Sequence, residues 1–317
     1  MMDCEQIMTA AEMADREAWL KARRNGIGGS DAGVIVGVSK WKSPYQLWLE
    51  KTGEVEPEDI SDKEAVHFGT KLEQLVADEF CEREGKKVHK CGLFRSKEHP
   101  FMTASFDRLV VGEQAGLECK TSNAFARNAW DTGDIPRQYY VQCQHYMMVS
   151  GLPRWYIACL VGGQHFTVWT IERDEEDISI LRDAETEFWR KVTEHIVPDT
   201  DGSDSCTRAL RERFEGGCTD PVELPGKASE LVKRLDELNA SEKDIKEEKN
   251  ACQNALCEML GNNESGFIRI GDTERIINWK TVKGRTTLDT KSLKKDLPDI
   301  FEKYAKTSAP TRRFSVK

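Results

Sequence analysis

The chain has 317 residues, 38% of them hydrophobic and 32% charged, and a formal net charge of −9. That size suits one sizeable α/β domain with an appendage. No apolar run approaches the roughly 18 residues of a membrane span, and residues 1–11 lack the basic start and apolar stretch of an export signal, so a cytoplasmic protein without membrane contact is expected. Ten scattered cysteines with no Cys-x-x-Cys pair read as reduced thiols and argue against a zinc or iron–sulfur site. The acidic total conceals a basic end: residues 280–317 hold eleven Lys or Arg against four Asp or Glu.

In chain order, a helix-like stretch ends at residues 21–24 and is followed by Gly26-Ile27-Gly28-Gly29-Ser30. An apolar run through Ala32, Val34 and Ile35 then predicts a short helix with Ser30 as N-cap and Gly37 as its stop. Ala65, Phe68, Leu72, Leu75, Val76 and Phe80 recur at three and four residues and predict a second helix, ending near Gly85 and carrying Glu73. Residues 101–111 and 116–120 read as two strands of a hairpin around the turn Gly112-Glu113-Gln114-Ala115. A helix over residues 137–149, strands over 155–161 and 165–171, and a helix from Asp174 to about Ile196 complete a mixed α/β pattern. Residues 198–205 gather Pro, Asp, Gly and Ser as a linker. Beyond Pro225, Leu231, Leu235, Leu238, Ile245, Cys252, Leu256 and Met259 follow coiled-coil spacing, with Glu242 and Lys249 in the skipped positions. This reads as a helical arm, with a fold back into a hairpin open, and the charged seam positions disfavour a long uninterrupted homomeric coil. Alternation in residues 267–270 and 275–279, and the closing Arg312-Arg313-Phe314-Ser315-Val316-Lys317, predict short strands.

The chemistry-bearing cluster is Asp107-x10-Glu118-Cys119-Lys120. Phosphodiester cleavage needs a positioned divalent metal, a polarised phosphate oxygen, an activated water and an offset for charge on the pentacoordinate intermediate. Glu118 and Lys120, two apart on one strand, point to one face. Asp107, Glu118 and the backbone carbonyl of Cys119 form a partial oxygen shell of the kind Mg²⁺ prefers, and Lys120 would orient or help deprotonate the attacking water. An Asp and a Glu-x-Lys on an exposed hairpin are equally a common cross-strand charge pairing, so the spacing alone leaves both readings open.

Five segments in order add a resemblance. Gly26-Ile27-Gly28-Gly29-Ser30-Asp31-Ala32, Ser43-Pro44-Tyr45-Gln46-Leu47-Trp48, Phe68-Gly69-x3-Glu73, the Asp107/Glu118/Lys120 core and Gln142-Cys143-Gln144-His145-Tyr146 resemble the YqaJ-type viral recombinase nucleases, relatives of lambda exonuclease in the PD-(D/E)XK superfamily. The resemblance covers residues 19 to about 171. It implies a central mixed sheet flanked by helices, Mg²⁺ (with Mn²⁺ as substitute) on Asp107, Glu118 and the Cys119 carbonyl, Glu73 supporting that shell through water, Lys120 as catalytic residue and Gln142 lining the site. Arg23 and Ser30, with Gly29, match positions that hold a 5′ phosphate in the lambda relative; a Gly-rich turn entering a helix suits an anion independently. The implied activity is 5′→3′ exonuclease digestion of linear double-stranded DNA from its ends. It exposes 3′ single strands for a single-strand annealing protein in phage or prophage recombination, from a homo-oligomer, a trimeric ring.

The resulting division is an exonuclease core over residues 1–200, a linker over 201–225, a helical arm over 226–262 and a basic α+β tail over 263–317. Trp41, Tyr45 and Trp48 read as core rather than as a base-stacking platform, and His145 reads as structural. Lys294, Lys295, Arg312 and Arg313 suit equally DNA phosphate, a partner or solvent. The alternatives are a structure-specific or restriction-type endonuclease, which would cut closed circular DNA, and a non-catalytic DNA-binding scaffold, which would tolerate loss of the acidic cluster.

Overall fold

The chain begins with β1 (Cys4–Met8) and the helices α1 (Arg16–Arg24), α2 (Gly29–Ile35), α3 (Pro44–Thr52) and α4 (Glu64–Glu84). Short strands β2 (Val88–Lys90), β3 (Leu93–Ser96), β4 (Thr103–Ser105) and β5 (Arg108–Val110) lead to the longer β6 (Ala115–Ser122). Helices α5 (Arg127–Asp131) and α6 (Arg137–Ser150) cross over to β7 (Arg154–Val161) and β8 (His165–Glu172), followed by α7 (Glu175–Thr193) and α8 (Asp204–Arg213). This is a computed structural model, and it describes residues 2–131, 135–214, 216–307 and 312–316. It divides into two units, Met1–Glu215 and Gly216–Lys317.

The first unit is built on a five-stranded sheet, order β2-β5-β6-β7-β8, in which only β6 and β7 run parallel. A parallel pair needs a crossover, which α5 and α6 supply. Alternation along β7 decides the layers: Trp155, Ile157, Cys159 and Val161 pack with Cys143, Tyr146 and Met147 of α6. Tyr156 and Ala158 pack with Val76, Ala77 and Phe80 of α4 on the other face. Helix α4 stops at Gly85, whose φ of 64° suits a residue without Cβ. A second sheet, β1-β3-β4, is joined to the first by the stretch from β4 to β5, where buried Phe106 lies against Phe94, Tyr146 and Trp155. Fully buried His145 faces Glu185 at 2.7 Å and the Thr103 carbonyl at 2.9 Å, so it ties α6 to α7 and β4, the structural part expected of it.

The second unit holds α9 (Lys227–Leu260), the hairpin β9 (Ser265–Ile270) and β10 (Thr273–Asn278), α10 (Thr290–Asp296) and α11 (Pro298–Tyr304). Among the described residues no helix is long and apolar enough to cross a membrane.

Five expectations need correction. The stretch 101–111 is not one strand: β4 and β5 belong to different sheets, and β5 pairs with β6 only at Arg108–Leu117 and Leu109–Gly116, because burial of Phe106 turns the chain between them. Residues 204–213 of the expected linker form α8, whose Cys206 and Ala209 are buried with Tyr45, Trp48 and Phe188, so they are part of the core. The arm is one continuous helix, not a hairpin, since no Gly or Pro interrupts residues 227–260. The aromatic trio divides: Tyr45 and Trp48 are buried, while Trp41, ahead of α3, is 79% exposed. Residues 312–316 form no strand, and Lys317 lies outside the described residues.

Candidate active site

One cavity of about 190 Å³ gathers residues from five separated parts of the sequence. Arg23, Gly28, Gly29 and Ser30 line one end, with Trp19 beside Arg23; Asp107, Glu118, Gln142 and Tyr146 line the other, and Leu93, Thr103 and Ser105 complete the lining.

The carboxylate end follows from where β5 stops. Beyond Leu117 that edge of β6 has no strand partner, and the Cys119 N–H donates instead to Asp107 Oδ2 at 2.8 Å. A residue's N–H and C=O leave a strand on the same edge, so the Cys119 carbonyl faces the Asp107 side too. Glu118 and Lys120 share a face as the spacing predicts: Lys120 Nζ donates to Glu118 Oε1 at 2.5 Å. Gln142 Nε2 donates to the same oxygen at 2.7 Å and to the Tyr146 hydroxyl at 2.7 Å. Glu118 is 3% exposed, yet its other oxygen, Oε2, is buried without a hydrogen-bond partner. A buried carboxylate oxygen left this way is costly unless a cation meets it.

Burial and the neighbouring charges of Glu118 and Glu73 push the Asp107 carboxyl well above its ordinary value. Burial pulls the Lys120 ammonium down, but Glu118 and Asp107 outweigh it and leave the group above its ordinary value. Glu73 does not itself line the cavity, and its Oε1 accepts from Arg108 Nη1 at 2.6 Å, while its charge still acts on Asp107. Arg108, 2% exposed, also donates to Gln74 and to the Asp107 carbonyl, so it couples α4 to the acidic residue. Among the described residues no three His, Cys, Asp or Glu side chains form a ready metal cluster. Asp107, Glu118 and the Cys119 carbonyl nevertheless bring oxygen atoms to one place, a donor set whose chemistry would suit a hard divalent cation that takes the rest of its shell from water.

At the other end the short helix starts two residues earlier than expected. Gly28 is the N-cap and Asp31 reaches back to its N–H at 3.0 Å, so Ser30 lies inside α2. Ser30 Oγ instead accepts from Arg23 Nη2 at 2.8 Å, which joins the two residues expected to act together. The Trp19 ring lies 4.9 Å from the Arg23 guanidinium. Gly29 is required by close approach: a Cβ there would stand 2.5 Å from the Tyr146 ring and 3.1 Å from Gln142. Trp19, four residues before Arg23 on one helix, carried a readable signal; Arg108 and Tyr139, whose ring lies 4.9 Å from Lys120 Nζ, carried none.

The family model described as the YqaJ-like viral recombinase domain matches residues 18–153, a span holding all the residues just described. The YqaJ protein of Bacillus subtilis (strain 168), itself called uncharacterized, is 39% identical over 319 residues, covering 99% of this chain and 97% of that one. The chain belongs to the YqaJ-like viral recombinase family. Among solved structures, the alkaline exonuclease of Laribacter hongkongensis in complex with dAMP is similar at a TM-score of 0.50 and 21% identity, over 57% of this chain and 94% of that one. A further structure of that exonuclease gives 0.49 at 20% identity, with the same coverage. The fold of this YqaJ-family chain is thus the mixed α/β PD-(D/E)XK core expected from its motifs.

Proposed function

We propose that this YqaJ-family chain is a metal-dependent deoxyribonuclease that digests linear duplex DNA 5′→3′ from its ends. The observation that carries the reading is the single cavity in which Arg23 and Ser30 meet Asp107, Glu118 and Gln142. One end offers a guanidinium and a hydroxyl to a terminal phosphate; the other offers paired carboxylates to a cation beside the scissile bond.

Asp107, Glu118 and the Cys119 carbonyl would hold Mg²⁺, with Mn²⁺ as substitute. When bound, the cation polarises a phosphate oxygen and lowers the pKa of water. Lys120 orients the attacking water from its hydrogen bond to Glu118. Gln142 fixes the Glu118 carboxylate, and Arg108 holds Glu73 and the Asp107 backbone in register. Glu73 supports the shell through water. Family membership further favours exposure of 3′ single strands for a single-strand annealing protein during phage recombination, and a ring of three copies around the duplex.

The test is Mg²⁺-dependent digestion of linear duplex labelled separately at each end, with closed circular duplex alongside and Asp107→Ala as control. Release of 5′ label from linear DNA alone supports the proposal. Cutting of the circle replaces it with an endonuclease, and no wild-type activity replaces it with a DNA-binding role.

A further inference from the structure

Beneath the phosphate end lies a buried charge network that the proposed chemistry does not use. Lys51, in the last turn of α3, is 6% exposed at its side chain and does not reach the cavity. Its ammonium donates to the Arg23 carbonyl at 2.8 Å, the Gly26 carbonyl at 2.6 Å and Asp31 Oδ2 at 2.8 Å. Three donors meet three acceptors, so the group is saturated. Its partners are the end of α1, the Gly-rich loop and the start of α2, the three pieces that set the position of Arg23 and Ser30.

The charge balance is as telling as the geometry. Asp31 Oδ2 is engaged by Lys51 and by the Gly28 N–H. Its Oδ1 stands 3.7 Å from Arg23 Nη2, an ion pair too long for a hydrogen bond. Two cations share one buried carboxylate, which leaves one positive charge on the cavity side, where Arg23 is still 31% exposed. Without Lys51, Asp31 would become a buried carboxylate whose nearest remedy is full pairing with Arg23.

We propose that Lys51 is a positioning residue for terminal-phosphate recognition: by holding Asp31 it keeps that carboxylate from neutralising Arg23, so the guanidinium remains available to the phosphate. The inference rests on the phosphate reading of the cavity and extends it to a residue that touches no DNA.

The experiment compares kcat and KM of the full chain on linear duplexes bearing 5′-phosphate or 5′-hydroxyl ends, for wild type, Lys51→Met, Asp31→Asn and the double variant, with thermal unfolding as the check on folding. The expected result is that K51M loses about tenfold of the preference for phosphorylated ends, mainly through KM. K51M/D31N regains most of it, because no carboxylate is left to capture Arg23. A network that only braces the loop would give no such rescue. A folded K51M with undiminished preference, or a double variant as indifferent as K51M, overturns the proposal. Should K51M fail to fold, D31N decides: the freed charge should strengthen the preference, and an unchanged or weaker one overturns it. A wild type indifferent to the end group overturns the phosphate reading itself, and Lys51's part with it.

Discussion

The two ends of the cavity solve opposite problems. The carboxylate end is under-satisfied, with Asp107 and Glu118 pressed together and Glu118 Oε2 buried without a partner. The phosphate end is saturated beneath its surface, since each donor of Lys51 has an acceptor and Asp31 has two hydrogen-bond donors and a nearby guanidinium. Polar groups that stabilise a fold are paired within it; groups held for a ligand are left short of partners. On the proposed function the first end gives up stability for chemistry, and the second holds one exposed charge on a rigid base.

The largest expected effect breaks the first end. Glu118→Gln or Asp107→Asn should reduce cleavage about 1000-fold or more, the scale on which removal of a transition-state electrostatic contact acts. Asp107→Asn should not lower the melting temperature, because burial and the charges of Glu118 and Glu73 already oppose its ionised form; Glu118→Gln, which removes the charge partner of Lys120, should lower it. Single-turnover cleavage and calorimetry on the same preparations check both halves; an Asp107→Asn variant that loses activity together with its fold would erase the contrast between the ends. Addition of a chelator to wild type should stop cleavage as completely, and Mn²⁺ should restore it.

The second end should fail differently. Arg23→Ala should cost about 10- to 100-fold in kcat/KM on 5′-phosphorylated ends, the range of one charge-assisted hydrogen bond. Hydroxyl-ended duplex should be affected far less, and kinetics on the two substrates side by side is the measurement. Equal loss on both would mean that Arg23 serves the duplex in general rather than its terminus.

How far this contrast was readable in advance differs between the ends. Asp107, Glu118, Lys120 and Gln142 could be named from spacing and resemblance because strand alternation and helical periodicity dictate which side chains share a face. Their placement could not. The step of residues 101–111 from one sheet to the other depends on Phe106 packing against rings contributed by β3, α6 and β7, none of them near it in sequence. The phosphate end was legible as a Gly-rich turn with Arg23 and Ser30, yet its helix start was misread, because the cap is decided by the Asp31 carboxylate reaching back to Gly28 rather than by the best capping side chain nearby. Lys51 was invisible altogether: a lysine in the last turn of a helix is ordinarily a solvated charge near the dipole, and only the fold brings Asp31 and two carbonyls to it.

The seam between the ends is Gly29, and its substitution sharpens the comparison at intermediate size. Gly29→Ala places a Cβ 2.5 Å from the Tyr146 ring, and the ring cannot retreat into a core formed by Phe106 and Trp155. Overpacking of this kind costs about 1–3 kcal/mol. Because Tyr146 and Glu118 share Gln142 Nε2, activity should fall about tenfold. Calorimetry should report the first, and Glu118-dependent cleavage the second; loss of stability without loss of activity would uncouple the ends.

The smallest expected effect belongs to the residue whose neighbours have the largest. Cys119 lies between Glu118 and Lys120, but its side chain packs with the cluster of α4 on the opposite face of the sheet, where burial pushes its thiol up and out of any reactive range. What it gives the site is backbone: an N–H to Asp107 and a carbonyl on the same edge. Cys119→Ala keeps both, so cleavage should stay within about threefold of wild type while stability falls by about 1 kcal/mol for the lost sulfur contacts. Kinetics and calorimetry on this variant test the assignment from the side opposite to the carboxylate substitutions. A large loss of activity would make the thiol itself part of the chemistry, and the partition of β6 into a catalytic face and a packing face would have to be redrawn.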